Sequence, residues 1–146
     1  MATVRRFEDL EIWQIAQRLA QEIFLETKKG EFSRDFELRT QLNAPAGSIM
    51  DNISEGFERG GRIEFLNFLS IAKGSGGETR SQLYRAFDRG YIPNDKLDYF
   101  QKEYSELGNH IGKLMNYLNQ SDFKGRKFKD RKKDNDDTGG QANPKP

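Results

Sequence analysis

The stretch Gly47-Ser48-Ile49-Met50-Asp51-Asn52-Ile53-Ser54-Glu55-Gly56-Phe57-Glu58-Arg59-Gly60-Gly61 decides the fold. Ile49, Ile53 and Phe57 recur every four residues, which sets them on one side of an α-helix. Leu38, Leu42 and Ala46 extend that stripe backwards. A second line, Ser48, Asn52 and Glu55, runs beside it at steps of four and three. Polar groups next to a buried face must find hydrogen-bond partners, so this line predicts a polar layer against a neighbouring helix. Gly60-Gly61 ends the helix as a left-handed C-cap would. The element is built for packing and polar contact, not as a catalytic loop.

Working outward, the same period recurs along most of the chain. From Phe7 to about Lys29 the apolar positions Leu10, Trp13, Ala16, Ala20, Ile23 and Phe24 form one stripe, widened by Ile12, Ile15 and Leu19, and Gly30 stops it. Ser33 can cap a second helix that runs to Arg59. Pro45 interrupts that helix. A proline in a helix interior removes one backbone bond and costs ~3 kcal/mol or more, so a kink near Asn43-Ala44, or two helices meeting there, is expected. A third helix runs from Arg62 to about Arg89, with Ile63, Leu66, Leu69, Ile71 and Ala72 in its first half and Leu83, Ala86 and Phe87 in its second. After the turn Gly90-Tyr91-Ile92-Pro93, with Asn94 or Asp95 as cap, the fourth helix carries Leu97, Phe100, Tyr104, Leu107, Ile111, Leu114 and Leu118. Its steps alternate three and four without a miss, the spacing of knobs-into-holes packing.

Within the third helix lies Lys73-Gly74-Ser75-Gly76-Gly77-Glu78-Thr79. Each internal glycine costs ~1 kcal/mol relative to alanine, so close approach of a neighbouring helix, or a local break, is expected to offset them. A phosphate-cradling P-loop would need its lysine after the glycines, whereas Lys73 precedes them.

Residues 1–120 thus read as an all-α, up-down-up-down antiparallel four-helix bundle. A three-helix core with a peripheral first helix, and a bundle completed by another subunit, are the alternatives. Residues 121–146 change character: Lys124, Arg126, Lys127, Lys129, Arg131, Lys132 and Lys133 face only Asp122 and Asp130 before an acidic, Gly- and Pro-bearing end. Such a segment cannot bury enough apolar area to offset its chain entropy, so a disordered tail is expected.

Of the 146 residues 34% are hydrophobic and 32% charged, and the net charge is +1. That balance suits helices with one buried stripe, and leaves any anion site to local clustering. The absence of cysteine removes disulfides and cysteine nucleophiles. No apolar run reaches the ~20 residues of a membrane span, and the N-terminus has no signal-peptide core. A cytoplasmic protein without membrane contact is expected.

Catalytic chemistry finds little support. A di-iron bundle site needs Glu-x-x-His on two helices, but the single histidine, His110, has Glu106 four residues before it. A Ser-His-Asp triad would need the same histidine, and neither Ser48 nor Ser75 has a nucleophile-elbow context. Glu55 and Glu78 could pair for acid–base work, but a structural polar layer of Ser48, Asn52, Glu55, Ser75 and Glu78, with Arg80 nearby, accounts for them better. No cofactor, metal site or enzymatic activity is expected. The remaining lead is basic: Arg59 and Arg62 flank the Gly60-Gly61 turn, Lys73 and Arg80 share a helix face, and Arg85 and Arg89 share another. With the tail, these residues could make salt-dependent phosphate contacts to RNA or DNA. Tyr84, Tyr91 and Tyr99 are candidates for a protein-binding adaptor surface instead.

The quoted stretch, the continuation Glu64 to Glu78 (Glu-Phe-Leu-Asn-Phe-Leu-Ser-Ile-Ala-Lys-Gly-Ser-Gly-Gly-Glu) and the opening Phe7 to Gln14 (Phe-Glu-Asp-Leu-Glu-Ile-Trp-Gln) resemble the four-helix-bundle proteins encoded in intervening sequences of bacterial 23S ribosomal RNA genes. The resemblance spans about Phe7 to Leu118. It implies a homopentameric ring. A structural cousin, the accessory variability determinant of diversity-generating retroelements, is a basic pentamer that binds nucleic acid and a reverse transcriptase. The resemblance therefore implies binding rather than catalysis. One departure matters: where the family usually carries Arg-Arg-Ala after the residue matching Gln41, this chain has Leu42-Asn43-Ala44-Pro45, so a basic pair is missing from that face.

Overall fold

The computed structural model describes residues 4–128. Four helices make up the architecture: α1 (Glu11–Glu26), α2 (Phe36–Glu58), α3 (Arg62–Asp88) and α4 (Asn94–Phe128). Single 3-10 turns at Phe7–Asp9 and Gly30–Arg34 precede α1 and α2, and no strand occurs among the described residues. The apolar stripes meet in one core. Leu38, Leu42, Ala46, Ile49 and Ile53 of α2 are buried, as are Leu97, Phe100, Tyr104, Leu107 and Ile111 of α4. Leu114 and Leu118 are partly buried against the same core.

Side-chain pairings show how neighbouring helices run. Gln41 meets Arg85, Ser48 meets Ser75, and Phe57 meets Phe65, so numbers rise along α2 as they fall along α3. Between α1 and α4 the pairs are Glu26–Lys96 and Arg18–Glu103, again in opposite sense. The bundle is closed by polar clasps at its edges, over an apolar interior.

The helix ends depart from the sequence reading in informative ways. α1 begins at Glu11, not Phe7, because Leu10 is extended (φ −75°, ψ 126°) and the residues before it close a separate turn. That turn sets Phe7 edge-on to Trp13, with ring centroids 5.2 Å apart. The N-cap of α2 is Asp35 rather than Ser33: its carboxylate accepts from the Leu38 N–H at 3.1 Å, while the Ser33 hydroxyl donates back to the Gly30 carbonyl. Neither Asn94 nor Asp95 caps α4. The Pro93 carbonyl accepts from Lys96 and Leu97, and the Asn94 amide donates to Asp98. α3 closes in a Schellman turn: Gly90 (φ 80°) donates to Phe87 and Tyr91 to Ala86.

Pro45 does not split α2, which is one helix through Glu58 with Pro45 buried in it. The lost backbone bond is offset by burial of the ring. α3 likewise passes through Gly74, Gly76 and Gly77 without a break. α4 continues to Phe128, beyond the end expected at Gln120. Lys124, Arg126 and Lys127 therefore fall on its last turns. Lys129, Arg131, Lys132 and Lys133 lie outside the described residues.

Asp35 ties the α2 start to the α3–α4 turn. It accepts from the Leu38 N–H, from the Tyr91 hydroxyl at 2.8 Å and from Arg89 at 2.7 Å, which together hold its carboxyl below the usual range. At Glu26 burial acts to raise the carboxyl, but hydrogen bonds from Lys96 and Lys29 outweigh it and the net direction is down. A carboxyl with a depressed folded value contributes stability above its unfolded value of roughly 4 and loses it as pH falls through the folded value. The melting temperature should therefore be flat between about pH 5 and 9 and fall in more acid solution. Asp35→Asn, followed by thermal melts between about pH 2.5 and 6, should shrink that acid limb. An acid limb identical to wild type would show that Asp35 does not set it.

Candidate functional site

The α2–α3 seam is where small and polar residues meet. Ser48 Oγ and Ser75 Oγ share a hydrogen bond of 3.0 Å, and the Asn52 amide donates to both the hydroxyl and the carbonyl of Ser48 at 2.8 Å. Buried Thr79 extends the layer by donating to the Ser75 carbonyl. Glu55 and Glu78 do not join it. Glu55 is exposed and pairs with Arg59 at 3.0 Å, and Glu78 is exposed on α3. One end of the seam is closed by Gly56, where an added Cβ would lie 2.5 Å from Phe68 Cβ. There the α2 backbone meets the base of the Phe68 side chain.

The basic residues are placed unevenly. Arg59 sits at the end of α2, held by Glu55 and lying over the Phe68 ring at 5.0 Å. Arg62 opens α3. Lys73 is exposed and its Cε would lie 3.7 Å from a Cβ on Gly112, so it reaches across toward α4. Arg80 is half-buried: its Nε donates to Gln101 Oε1 at 2.8 Å, and Gln101 donates back to the Arg80 carbonyl at 2.9 Å. That clasp occupies Nε and leaves the two terminal nitrogens without an acceptor among the described residues. Arg85 is committed to Gln41 and Gln82, and Arg89 to Asp35.

Between Lys73 and Arg80 on α3 and the facing stretch of α4 lies a cavity of about 280 Å³. Its inner wall is apolar, formed by buried Ile49, Ala72, Leu107 and Ile111. Its rim is polar, with Lys73 and Arg80 on one side and Ser105 and Asn109 on the other. Gly76, Gly77 and Gly108 also line it. Close approach does not account for these glycines: a Cβ at Gly77 or Gly108 would meet nothing within 4 Å, and one at Gly76 only Ile49 at an ordinary 3.8 Å. Tyr104 lines the cavity too, and its buried hydroxyl has no hydrogen-bond partner among the described residues. Burial pushes that phenol above its ordinary range.

Sequence reasoning missed this cavity because it assigned the α3 glycines to helix contact. The available signal was Gly108, a glycine beside the unbroken α4 stripe, four residues after Tyr104. It also missed a network on the α1–α4 edge, where Arg18 donates to Glu22, Tyr99 and Glu103 and the Tyr99 hydroxyl donates to Glu22. Tyr99 is thus engaged within the chain, as is Tyr91, which stacks on Phe32 and bonds Asp35. Tyr84 keeps an exposed ring.

No group of three or more metal-ligating side chains occurs among the described residues. His110 is exposed, 4.0 Å from Glu11. No described helix is long and apolar enough to cross a membrane.

Comparison with known proteins agrees with the fold. A crystal structure of a protein of unknown function from the S23 ribosomal protein family of Bacteroides thetaiotaomicron VPI-5482 is similar, with a TM-score of 0.65 at 20% identity. The match covers 71% of this chain and 97% of that one. No curated protein matches the sequence. The family of 23S rRNA-intervening sequence proteins matches residues 8–113, which takes in all of α1, α2 and α3 and more than half of α4. The chain belongs to the 23S rRNA-intervening sequence protein family.

Proposed function

We propose that the protein is a non-catalytic binding subunit that associates with copies of itself, as a pentamer, and holds structured RNA or DNA through phosphate contacts in the cytoplasm. The observation that carries the reading is Lys73 and Arg80 at one edge of the α3–α4 cavity, with an exposed ammonium and a guanidinium fork that has two nitrogens to spare. A fork held at Nε by Gln101 is already oriented, so it loses less freedom on meeting a phosphate. Arg59 and Arg62 add charge around the α2–α3 turn, and the basic residues from Lys124 to Lys133 add charge in the sequence after Gln120. The family's name, which ties its members to intervening sequences of 23S rRNA, is consistent with an RNA ligand.

Self-association is supported by one face of α3. Ile63, Asn67, Ile71 and Gly74 follow at steps of four, four and three, and all are exposed. An exposed isoleucine pair beside a glycine is a surface a second helix could cover. Repetition of Lys73 and Arg80 around a ring would focus potential that one subunit, at net charge +1, does not generate.

The test is binding of the full chain to 23S rRNA fragments across salt. With about four phosphates neutralised, affinity should fall roughly 100-fold between 50 and 200 mM salt. Charge reversal at Lys73 and Arg80 should lower both affinity and slope. Absent binding, or affinity indifferent to salt, would remove the reading. The adaptor alternative rests on exposed Tyr84. A partner captured by that surface would survive nuclease treatment, whereas one bridged by RNA would not.

A further inference from the structure

Beyond phosphate contact, the α3–α4 cavity has the form of a pocket for something planar. An apolar cavity of about 150 Å³ accepts benzene, so about 280 Å³ has room for one ring system carrying a polar substituent. The inner wall of Ile49, Ala72, Leu107 and Ile111 offers no charge to such a ring. The rim offers the opposite, with two cations on α3 and a hydroxyl and an amide on α4. Three glycines line the space, yet a side chain at Gly77 or Gly108 would meet nothing. Since glycine weakens a helix wherever alanine would fit, their place here keeps the cavity open rather than the helices close.

A second observation comes from Arg80. Its Nε is held by Gln101, while its two terminal nitrogens have no acceptor among the described residues, so a half-buried guanidinium fork stands at the rim with donors to spare.

We infer that the cavity takes one unstacked nucleotide, with its base against the Ile49–Leu107 wall and its phosphate on the Arg80 fork. This rests on the phosphate-binding reading above and sharpens it: the preferred ligand is a single strand, bulge or loop, because a base inside a duplex cannot leave its stack without cost. The shared chemistry is a nucleotide, and its source is either a strand or a free mononucleotide.

The experiment titrates full-length protein with three probes at one salt concentration. They are a single-stranded RNA decamer carrying one 2-aminopurine, a blunt duplex of the same sequence, and free 2-aminopurine ribonucleoside monophosphate. The single strand should bind at least tenfold more tightly than the duplex, with a change in 2-aminopurine emission. Gly108→Leu, which fills the cavity from a position with no neighbour, should cost at least tenfold on the strand and bring strand and duplex affinities to within twofold of each other. Should Gly108→Leu fail to fold, Gly77→Leu carries the same test, because a side chain there also meets nothing within 4 Å. Tight binding of the free mononucleotide, lost in Gly108→Leu, assigns the pocket to that source. A strand bound no better than the duplex, or unchanged by filling the cavity, overturns the pocket and leaves phosphate binding standing. If none of the three probes binds wild type, both readings fall. A change in native mass on Gly108→Leu would assign the cavity to a second copy of the chain and also overturn the proposal.

Discussion

Gly56→Ala should destabilise the protein by about 2 kcal/mol, although alanine is the better helix former. Alanine adds ~1 kcal/mol of helix propensity at an ordinary position. At Gly56, however, the new Cβ would sit 2.5 Å from Phe68 Cβ and 3.2 Å from the Phe65 ring. The Phe68 atom is next to its backbone and cannot swing away, so α2 and α3 must separate. Overpacking of this kind costs ~1–3 kcal/mol, occasionally more, and here it outweighs the propensity gain. The midpoint of thermal unfolding should fall by roughly 5–10 °C. Gly77→Ala is the matched control, since nothing lies within 4 Å of its Cβ. That variant should gain up to ~1 kcal/mol. Circular-dichroism melts of both variants decide the matter. Equal signs for the two would show that the α2–α3 seam does not depend on backbone contact.

Leu69→Ala and Ile71→Ala should differ more sharply still, though the residues are two apart on α3. Leu69 is fully buried, and its truncation leaves a cavity under Ile49 and Ile53 of α2, at ~2–5 kcal/mol. Ile71 is 52% exposed, so truncation within one subunit should change stability by no more than ~0.5 kcal/mol. The loss at Leu69 should appear at every protein concentration. Any loss at Ile71 should appear only where subunits associate, because association stabilises the folded chain by mass action. Light scattering of Ile71→Asp should then give a lower native mass with helicity intact. An unchanged mass would remove the Ile63–Ile71 face from the proposed interface.

The same pair shows how the sequence could mislead. Ile63 and Ile71 were grouped with Leu69 and Ala72 as one apolar half-helix, but the structure turns both isoleucines outward. The five apolar positions named between Ile63 and Ala72 cover more of the helix circumference than one contact face can bury. Pro45 misled for a related reason. Its penalty is local, while the burial that offsets it comes from the rest of the bundle. Ser33 and Asp35 both suit an N-cap, and only the position of Arg89 and Tyr91 from the far end of α3 favours Asp35. Of the expected polar layer, Ser48, Asn52 and Ser75 come together because they are short. Glu55 is long enough to reach solvent and Arg59.

The sequence by itself determined that this protein is four amphipathic helices, because a period of three and four apolar steps can be buried in one way only. It also marked the ends of α2 and α3, since Gly60 and Gly90 just beyond them take the positive φ that other residues avoid. Only the tertiary structure decided which glycines hold helices together and which keep a cavity open. A glycine's role lies in what stands opposite its missing side chain. At Gly56 that is Phe68, and at Gly108 it is empty space.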